Sequence, residues 1–276
     1  MTLKFAGIRR KTEFSPNHIV NDSLIIQLTA NALQSLGASV RLYDESEITT
    51  EHIPERFIFS MVQGPAGSAA LLETALSGAF VINSPQSVMN CYRVNMVSLL
   101  HQGGIPFPKS VVVDTKPATQ GLPAGFASQK VWIKRGDVHA VHKEDVTLAY
   151  ADEEKTNILK EFRRRGIERA VLQEHLVGDT VKFYALRESD FFYWYYLNGV
   201  YHTPFVQQQL YELAQASAEV LGLYVFGGDA IIAHDGTITI IDINDWPSFA
   251  PIRDSASQHI AQLLFRKAEE YAREHD

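Results

Sequence analysis

The sequence predicts an α/β protein, and three observations carry that reading. Over roughly the first 85 residues short apolar runs alternate with helical stretches, the pattern of a parallel sheet with helices on its faces. Further on, VKFYALRE and FFYWYYL read as an antiparallel pair. Near the end, GGDAIIAHDGTITIIDIND (Gly227 to Asp245) reads as a hairpin around Asp235-Gly236, a dipeptide suited to the positive φ of a tight two-residue loop.

The elements follow in order. LKFAGI (3–8) is a strand, and after a polar loop an amphipathic helix runs from about His18 to Leu36, where Gly37 stops it. SVRLYD (39–44) and RFIFSMV (56–62) are strands, Gly67 to Ser77 is helical, and FVINS (80–84) is a further strand. Pro85 opens a new segment with a helix from about Cys91 to Gln102, broken by GGIPFP. The strand VVVD precedes a Pro- and Gly-containing loop from Thr115 to Gln129, which reads as a junction. Then come KVWIK (130–134), a polar loop, a charged helix from about Asp152 to Arg165, AVLQEHL (170–176), the antiparallel pair, a helix over 207–222, the hairpin, and a last helix from about Asp254 to Glu274.

Composition bounds the function. The 276 residues suffice for one large domain or two to three lobes, and 46% hydrophobic with 21% charged residues is an ordinary globular balance. A net charge of −7 argues against a whole-surface nucleic-acid binder and leaves room for local basic patches. The single cysteine, Cys91, excludes an internal disulfide and a cysteine-based zinc site, so a cytoplasmic setting is expected. No uninterrupted apolar run is long enough for a membrane span, and no membrane or secretory role is expected.

The hairpin poses a chemical question. With a two-residue loop Ile231 faces Ile240, Ala233 faces Ile238 and Asp229 faces Asp242, with Asn244 on the same face. Directly opposed strand partners lie about 4.5–5.5 Å apart at Cβ, where two carboxylates repel. Protonation of one, splaying of both into water, or a bridging hard cation would each relieve the pair. The set Asp, Asp, Asn suits Mg²⁺. Without such a cation the site is expected to be strained.

Other residues with chemical capacity lie at strand ends. Lys134 closes VWIK before the donor-rich loop RGDVHAVHK, within reach of a phosphate, although a strand-end lysine is commonly a solvated edge residue. Gln173 and Glu174 end LQEHL, where backbone N–H and C=O groups can meet a purine edge, and Lys182 follows on the return strand. The aromatic run from Phe191 to Tyr201 carries no interleaved basic residue and reads as packing rather than base stacking.

This succession resembles ATP-grasp enzymes over nearly the whole chain. The resemblance implies an N-terminal parallel α/β pre-ATP-grasp lobe over residues 1–85 and an ATP-grasp domain over 86–276. The domain's central lobe (about 115–178) and C-terminal lobe (about 179–276) would clamp ATP. It further implies ATP and Mg²⁺, two ions, with Asp229, Asp242 and Asn244 as metal ligands. Arg93 and Lys134 would contact ATP phosphates, and Gln173, Glu174, His175 and Leu176 would line the adenine and ribose. DINDWPSF departs from the family's usual glycine-containing loop at Trp246 and Ser248, which bears on the substrate rather than the metal.

Two kinds of ATP-grasp enzyme compete for the acceptor. In the peptide-tailing glutamate ligases a carboxylate becomes an acyl phosphate that an amine attacks; Lys182, Arg187 and Arg253 are the cationic candidates here. In the inositol trisphosphate kinases basic residues after the first strand hold substrate phosphates, as Arg9, Arg10 and Lys11 would, together with a histidine such as His139 or His142. A cluster of this kind is more often a solvated face. The ligase reading leads, with an ATP-dependent kinase of an anionic small molecule second and a non-catalytic ATP sensor third. The expected partner is a small-molecule or peptide acceptor, without nucleic acid or membrane, and the oligomeric state is open.

Overall fold

Three four-stranded sheets organise the chain, and the computed structural model describes residues 2–15, 18–49, 53–116, 122–127, 129–199 and 201–275. The first sheet is parallel and uses β1 (Lys4–Arg9), β2 (Ser39–Asp44), β3 (Phe57–Ser60) and β4 (Phe80–Ile82) in the order β2-β1-β3-β4. Its crossovers include α1 (Ile19–Ser35) and α2 (Pro65–Leu76). α2 begins two residues before the expected Gly67, because Pro65 occupies the first turn, where its missing N–H costs nothing.

Pro85 does open a new segment, as a short helix of its own. In α3 (Pro85–Asn90) Ser84 caps the first turn by accepting from the Ser87 N–H, and α4 (Arg93–Gln102) follows. The second sheet is antiparallel, with β5 (Ser110–Asp114), β6 (Val131–Arg135), β7 (Val146–Ala149) and β8 (Arg169–Glu174) in the order β5-β8-β6-β7, and α5 (Asp152–Arg164) packs on it. β7 lies in the stretch read from sequence as polar loop: four residues are too few to show a period against their charged neighbours. The expected junction at 115–129 falls partly outside the described residues.

The third sheet, also antiparallel, contains β9 (Asp179–Leu186), β10 (Phe192–Tyr196), β11 (Val225–Ile232) and β12 (Ile238–Asp245) in the order β10-β9-β11-β12. One of its faces is covered by α6 (Gln207–Leu221), which ends at Gly222 in the left-handed conformation. The aromatic strand β10 packs on both faces. Tyr193 and Tyr195 lie against one core, and Phe192, Trp194 and Tyr196 against the other.

The last helix, α7 (Arg253–His275), returns to the N-terminal lobe. Ile260, Leu263 and Leu264 share a buried core with Ile25, Ile26 and Leu33 of α1, and Trp246 and Phe249 from the loop after β12 insert into it. Burial of each such aliphatic side chain contributes on the order of 1.5–3 kcal/mol. That core fixes the parallel lobe against the third sheet. A second joint is polar: Asn83 Oδ1 accepts from the Tyr224 and Val225 N–H groups (2.8 and 3.0 Å), and its Nδ2 donates to Val225 O (2.7 Å).

Candidate active site

The hairpin reaches the expected pairing by an unexpected route. Its loop has three residues, with the Ala233 N–H donating to Thr237 O (2.9 Å) and the Gly236 N–H to Ala233 O (2.8 Å), and Gly236 sits at φ +86°. Near the loop the register is therefore one residue off expectation, with Ile231 opposite Thr239 and Ile232 opposite Ile238. A bulge between Asp229 and Ala230 leaves Ile241 without a cross-strand partner and restores Asp229 opposite Asp242. A one-residue slip would have turned the carboxylates to opposite faces. Two slips cancel.

Two rows of side chains then cross one face of the third sheet. The cross-strand pairs set Tyr195, Lys182, Asp229 and Asp242 in line across β10, β9, β11 and β12, and Tyr193, Tyr184, Gly227 and Asn244 in a parallel line. Gly227 lets β11 approach β9 and Pro247 closely beside Tyr184. A Cβ there would lie 2.8 Å from Phe183 O and 3.0 Å from the Pro247 ring.

Each carboxylate of the opposed pair has its own cation, which corrects the expected strain of a metal-free site. Arg93, at the start of α4 and 5% exposed, donates from Nη2 to Asp242 Oδ2 at 2.9 Å. Lys182 Nζ lies 2.9 Å from Asp229 Oδ1, an ion pair off the hydrogen-bond axis. The two carboxyls titrate unequally. Burial pushes Asp242 up, but Arg93 and Lys134 outweigh it and hold its pKa at about 2. At Asp229 burial outweighs Lys182, and its pKa is raised. Lys182, penalised by burial, is still held charged by Asp229.

Lys134 and the bulge meet. Lys134, on β6 and 5% exposed, donates from Nζ to Ile241 O at 3.1 Å, across the gap between the second and third sheets. Burial lowers its pKa to about 8 against the pull of Asp242. Gln173 borders the same gap, which has no room for a water molecule, and its Nε2 donates to Ser110 Oγ (3.3 Å). Glu174 is exposed, with its N–H on Lys109 O (2.9 Å); the His175 ring lies near Trp132, and Leu176 follows at the strand end.

The third sheet's face, the loop after β6 and the start of α1 enclose a cavity of about 600 Å³. Arg93, Lys182, Asp229, Asp242, Asn244, Arg10 and His142 all line it. Other expected residues are placed elsewhere. Arg9 pairs with Asp44 (3.2 Å) and Lys11 with Glu13 (2.6 Å), both at the surface. Arg187 lies over the Tyr224 ring (4.1 Å), and Arg253 ties α7 to α1 through Asn21 (2.6 Å).

Arg10 borders the cavity but its guanidinium is spent on structure. It donates to Asp22 Oδ2 (2.8 Å), Met61 O (3.1 Å) and Trp246 O (3.0 Å). Trp246 sits at φ +34°, a region unfavourable for a bulky side chain, and its buried ring stacks 6.0 Å from Phe59. Arg10 thus holds the loop that carries Trp246.

Sequence reading missed the buried group behind the row Lys182–Asp229–Asp242. Asp245, 1% exposed, accepts on Oδ1 from Gln63 Nε2 (3.1 Å) and pairs with His139 Nε2 (2.7 Å). Asp145 was missed as well. It accepts from the Val141 and His142 N–H groups (2.8 and 3.0 Å) and from Arg135 and Arg165, and so shapes the loop that carries His139. No local pattern announces residues this far apart in the chain.

The parallel α/β lobe and the two antiparallel sheets meeting at Lys134 constitute the ATP-grasp fold. D-alanine–D-alanine ligase from Bacillus anthracis, complexed with ATP, superposes with a TM-score of 0.73 at 12% identity, covering 98% of this chain and 99% of that one. A RimK domain ATP-grasp protein from Sphaerobacter thermophilus gives 0.67 at 16% identity, over 95% and 99%. The ATP-grasp ligase PsnB, complexed with a precursor peptide and AMPPNP, gives 0.62 at 15%, over 97% of each chain. No protein-family model and no curated protein sequence matches the chain. Among the described residues no helix is long and apolar enough to cross a membrane.

Proposed function

We propose that the chain is a Mg²⁺-dependent ATP-grasp ligase that joins a carboxylate to an amine through an acyl phosphate, releasing ADP and phosphate. One observation carries the reading. Arg93 spends Nη2 on Asp242, while its Nε and Nη1 are buried without partners, beside the row Lys182–Asp229–Asp242. Unused N–H groups on two nitrogens of a buried guanidinium are costly unless an anion accepts from them, and a phosphate is the anion this fold handles. Two of the structural neighbours are named as ligases, one holding ATP and one a precursor peptide with AMPPNP, which supports ligation over kinase action.

The donor set fits magnesium. Asp229, Asp242 and Asn244 offer hard oxygens on one face, with Asp229 Oδ1 held there by Lys182. Among the described residues no three His, Cys, Asp or Glu side chains form a complete metal cage. When bound, Mg-ATP supplies the phosphoryl group that activates the carboxylate.

The chain's own residues then divide the work. Arg93 and Lys134 orient phosphate oxygens, and Lys182 faces the negative charge that develops during transfer. Gln173 to Leu176 present the strand end to the purine once the second and third sheets part at the Lys134–Ile241 contact. The remaining cavity, between Tyr184, Gly227 and the loop carrying His142, receives the acceptor, a small molecule or a peptide end.

Incubation with Mg-ATP and pooled amino acids tests the reading, with ADP and inorganic phosphate measured in the same sample. Equal release of both supports the ligase. ADP with phosphate retained on a product indicates a kinase, and tight ATP binding without turnover indicates a sensor.

A further inference from the structure

We infer that His139, oriented by Asp245 and Gln63, is the general base that takes a proton from the attacking amine; this rests on the ligase reading above. His139 is 8% exposed and borders the cavity that also holds Asp229, Asp242 and Arg93. Its Nε2 lies 2.7 Å from Asp245 Oδ1, and a carboxylate oxygen can only accept, so Nε2 carries the hydrogen. Gln63 donates to the same oxygen at 3.1 Å, and Gln63 is itself fixed by the Tyr92 hydroxyl, which donates to its main-chain oxygen (2.8 Å). In the neutral ring Nδ1 is then the basic atom. It has no hydrogen-bond partner among the described residues and is not sealed from the cavity.

The arrangement matches what amide formation demands. An amine arrives as an ammonium without a lone pair. Nδ1 takes one proton, giving a neutral amine and an imidazolium that Asp245 stabilises. The nitrogen lone pair forms the C–N bond at the acyl phosphate carbon, the C–O bond to phosphorus breaks, and its electron pair leaves with phosphate. The second amine proton goes to that phosphate, which departs as hydrogen phosphate. Atoms and charge balance with the imidazolium as the only new acid. Asp245 and Gln63 act through the His139 ring as positioning residues.

The test uses the full-length chain, Mg-ATP and a pool of the common amino acids, with either those amines or added hydroxylamine as nucleophile. Hydroxylamine is neutral near pH 7 and needs no base to attack; it yields a hydroxamate. His139→Asn is expected to lose about 10²–10⁴-fold in amine-dependent kcat with little change in KM, and hydroxylamine is expected to remove most of that deficit. Asp245→Asn, which keeps the side-chain shape, should show a smaller loss with the same rescue; it carries the test if the first variant fails to fold. Unchanged amine turnover, or a deficit equal with both nucleophiles, overturns the assignment. If the unsubstituted chain forms no hydroxamate, the ligase reading itself fails, an outcome distinct from failure of the base.

Discussion

Replacing Arg10 separates a structural clamp from a substrate contact. In Arg10→Met the ion pair to Asp22 and two hydrogen bonds to main-chain oxygens are lost together, and Asp22 stays buried with no other ion-pair partner among the described residues. Both side chains of the pair are only 7% exposed. Removing one partner of a buried pair costs about 3–5 kcal/mol, and each deserted carbonyl costs roughly 1–3 kcal/mol where it stays dry. These terms overlap, so about 3–5 kcal/mol is the expected total. In urea, at a slope near 3 kcal/mol per molar, the midpoint should fall by about 1 M or more. Adding Asp22→Leu removes the stranded charge and should recover part of the loss. A wild-type midpoint in Arg10→Met, with only the acceptor KM raised, would refute the clamp and restore this arginine as a substrate ligand.

Further outcomes follow from the same geometry. Burial lowers the Lys134 pKa from 10.5 to about 8, so the unfolded chain binds more protons than the folded one between these values and stability rises with pH across that window. The advantage of Lys134→Met over wild type should therefore shrink by on the order of 3 kcal/mol from pH 8 to 10.5, read by urea unfolding; a pH-independent difference contradicts it. Asn83→Ala deletes three hydrogen bonds joining the parallel lobe to β11, and its loss of about 2–4 kcal/mol should appear in unfolding while the ATP KM stays unchanged. Gly227→Ala would bring a methyl group to 2.8 Å from Phe183 O, so β9 and β11 must move apart and the urea midpoint should fall; a wild-type midpoint contradicts that close approach.

Much of this was legible from local pattern. The alternation of runs located the parallel sheet, and Asp235-Gly236 located the hairpin. The opposed carboxylates came out right although the loop length was wrong, because the bulge at Ile241 cancels the third loop residue. Neither feature shows in the alternation of apolar residues, since Ile240 and Ile241 read alike. What stayed illegible was long-range. Arg10 resembles any residue of a basic loop until folding brings Trp246 to it, 236 residues away. Gln63 and His139 lie 182 and 106 residues from Asp245, so the buried dyad has no sequence signature.

The central claim is that Asp229 and Asp242 face a metal-bound triphosphate, and calorimetric titration with a non-hydrolysable ATP analogue tests it most directly. In Asp242→Asn, binding with Mg²⁺ should weaken by about tenfold or more, roughly 1.4 kcal/mol per decade, through loss of a metal ligand. With Mg²⁺ chelated the sign should reverse, because the substitution removes a charge that repels phosphate and frees Arg93 Nη2. The same change in affinity with and without Mg²⁺ would contradict the account.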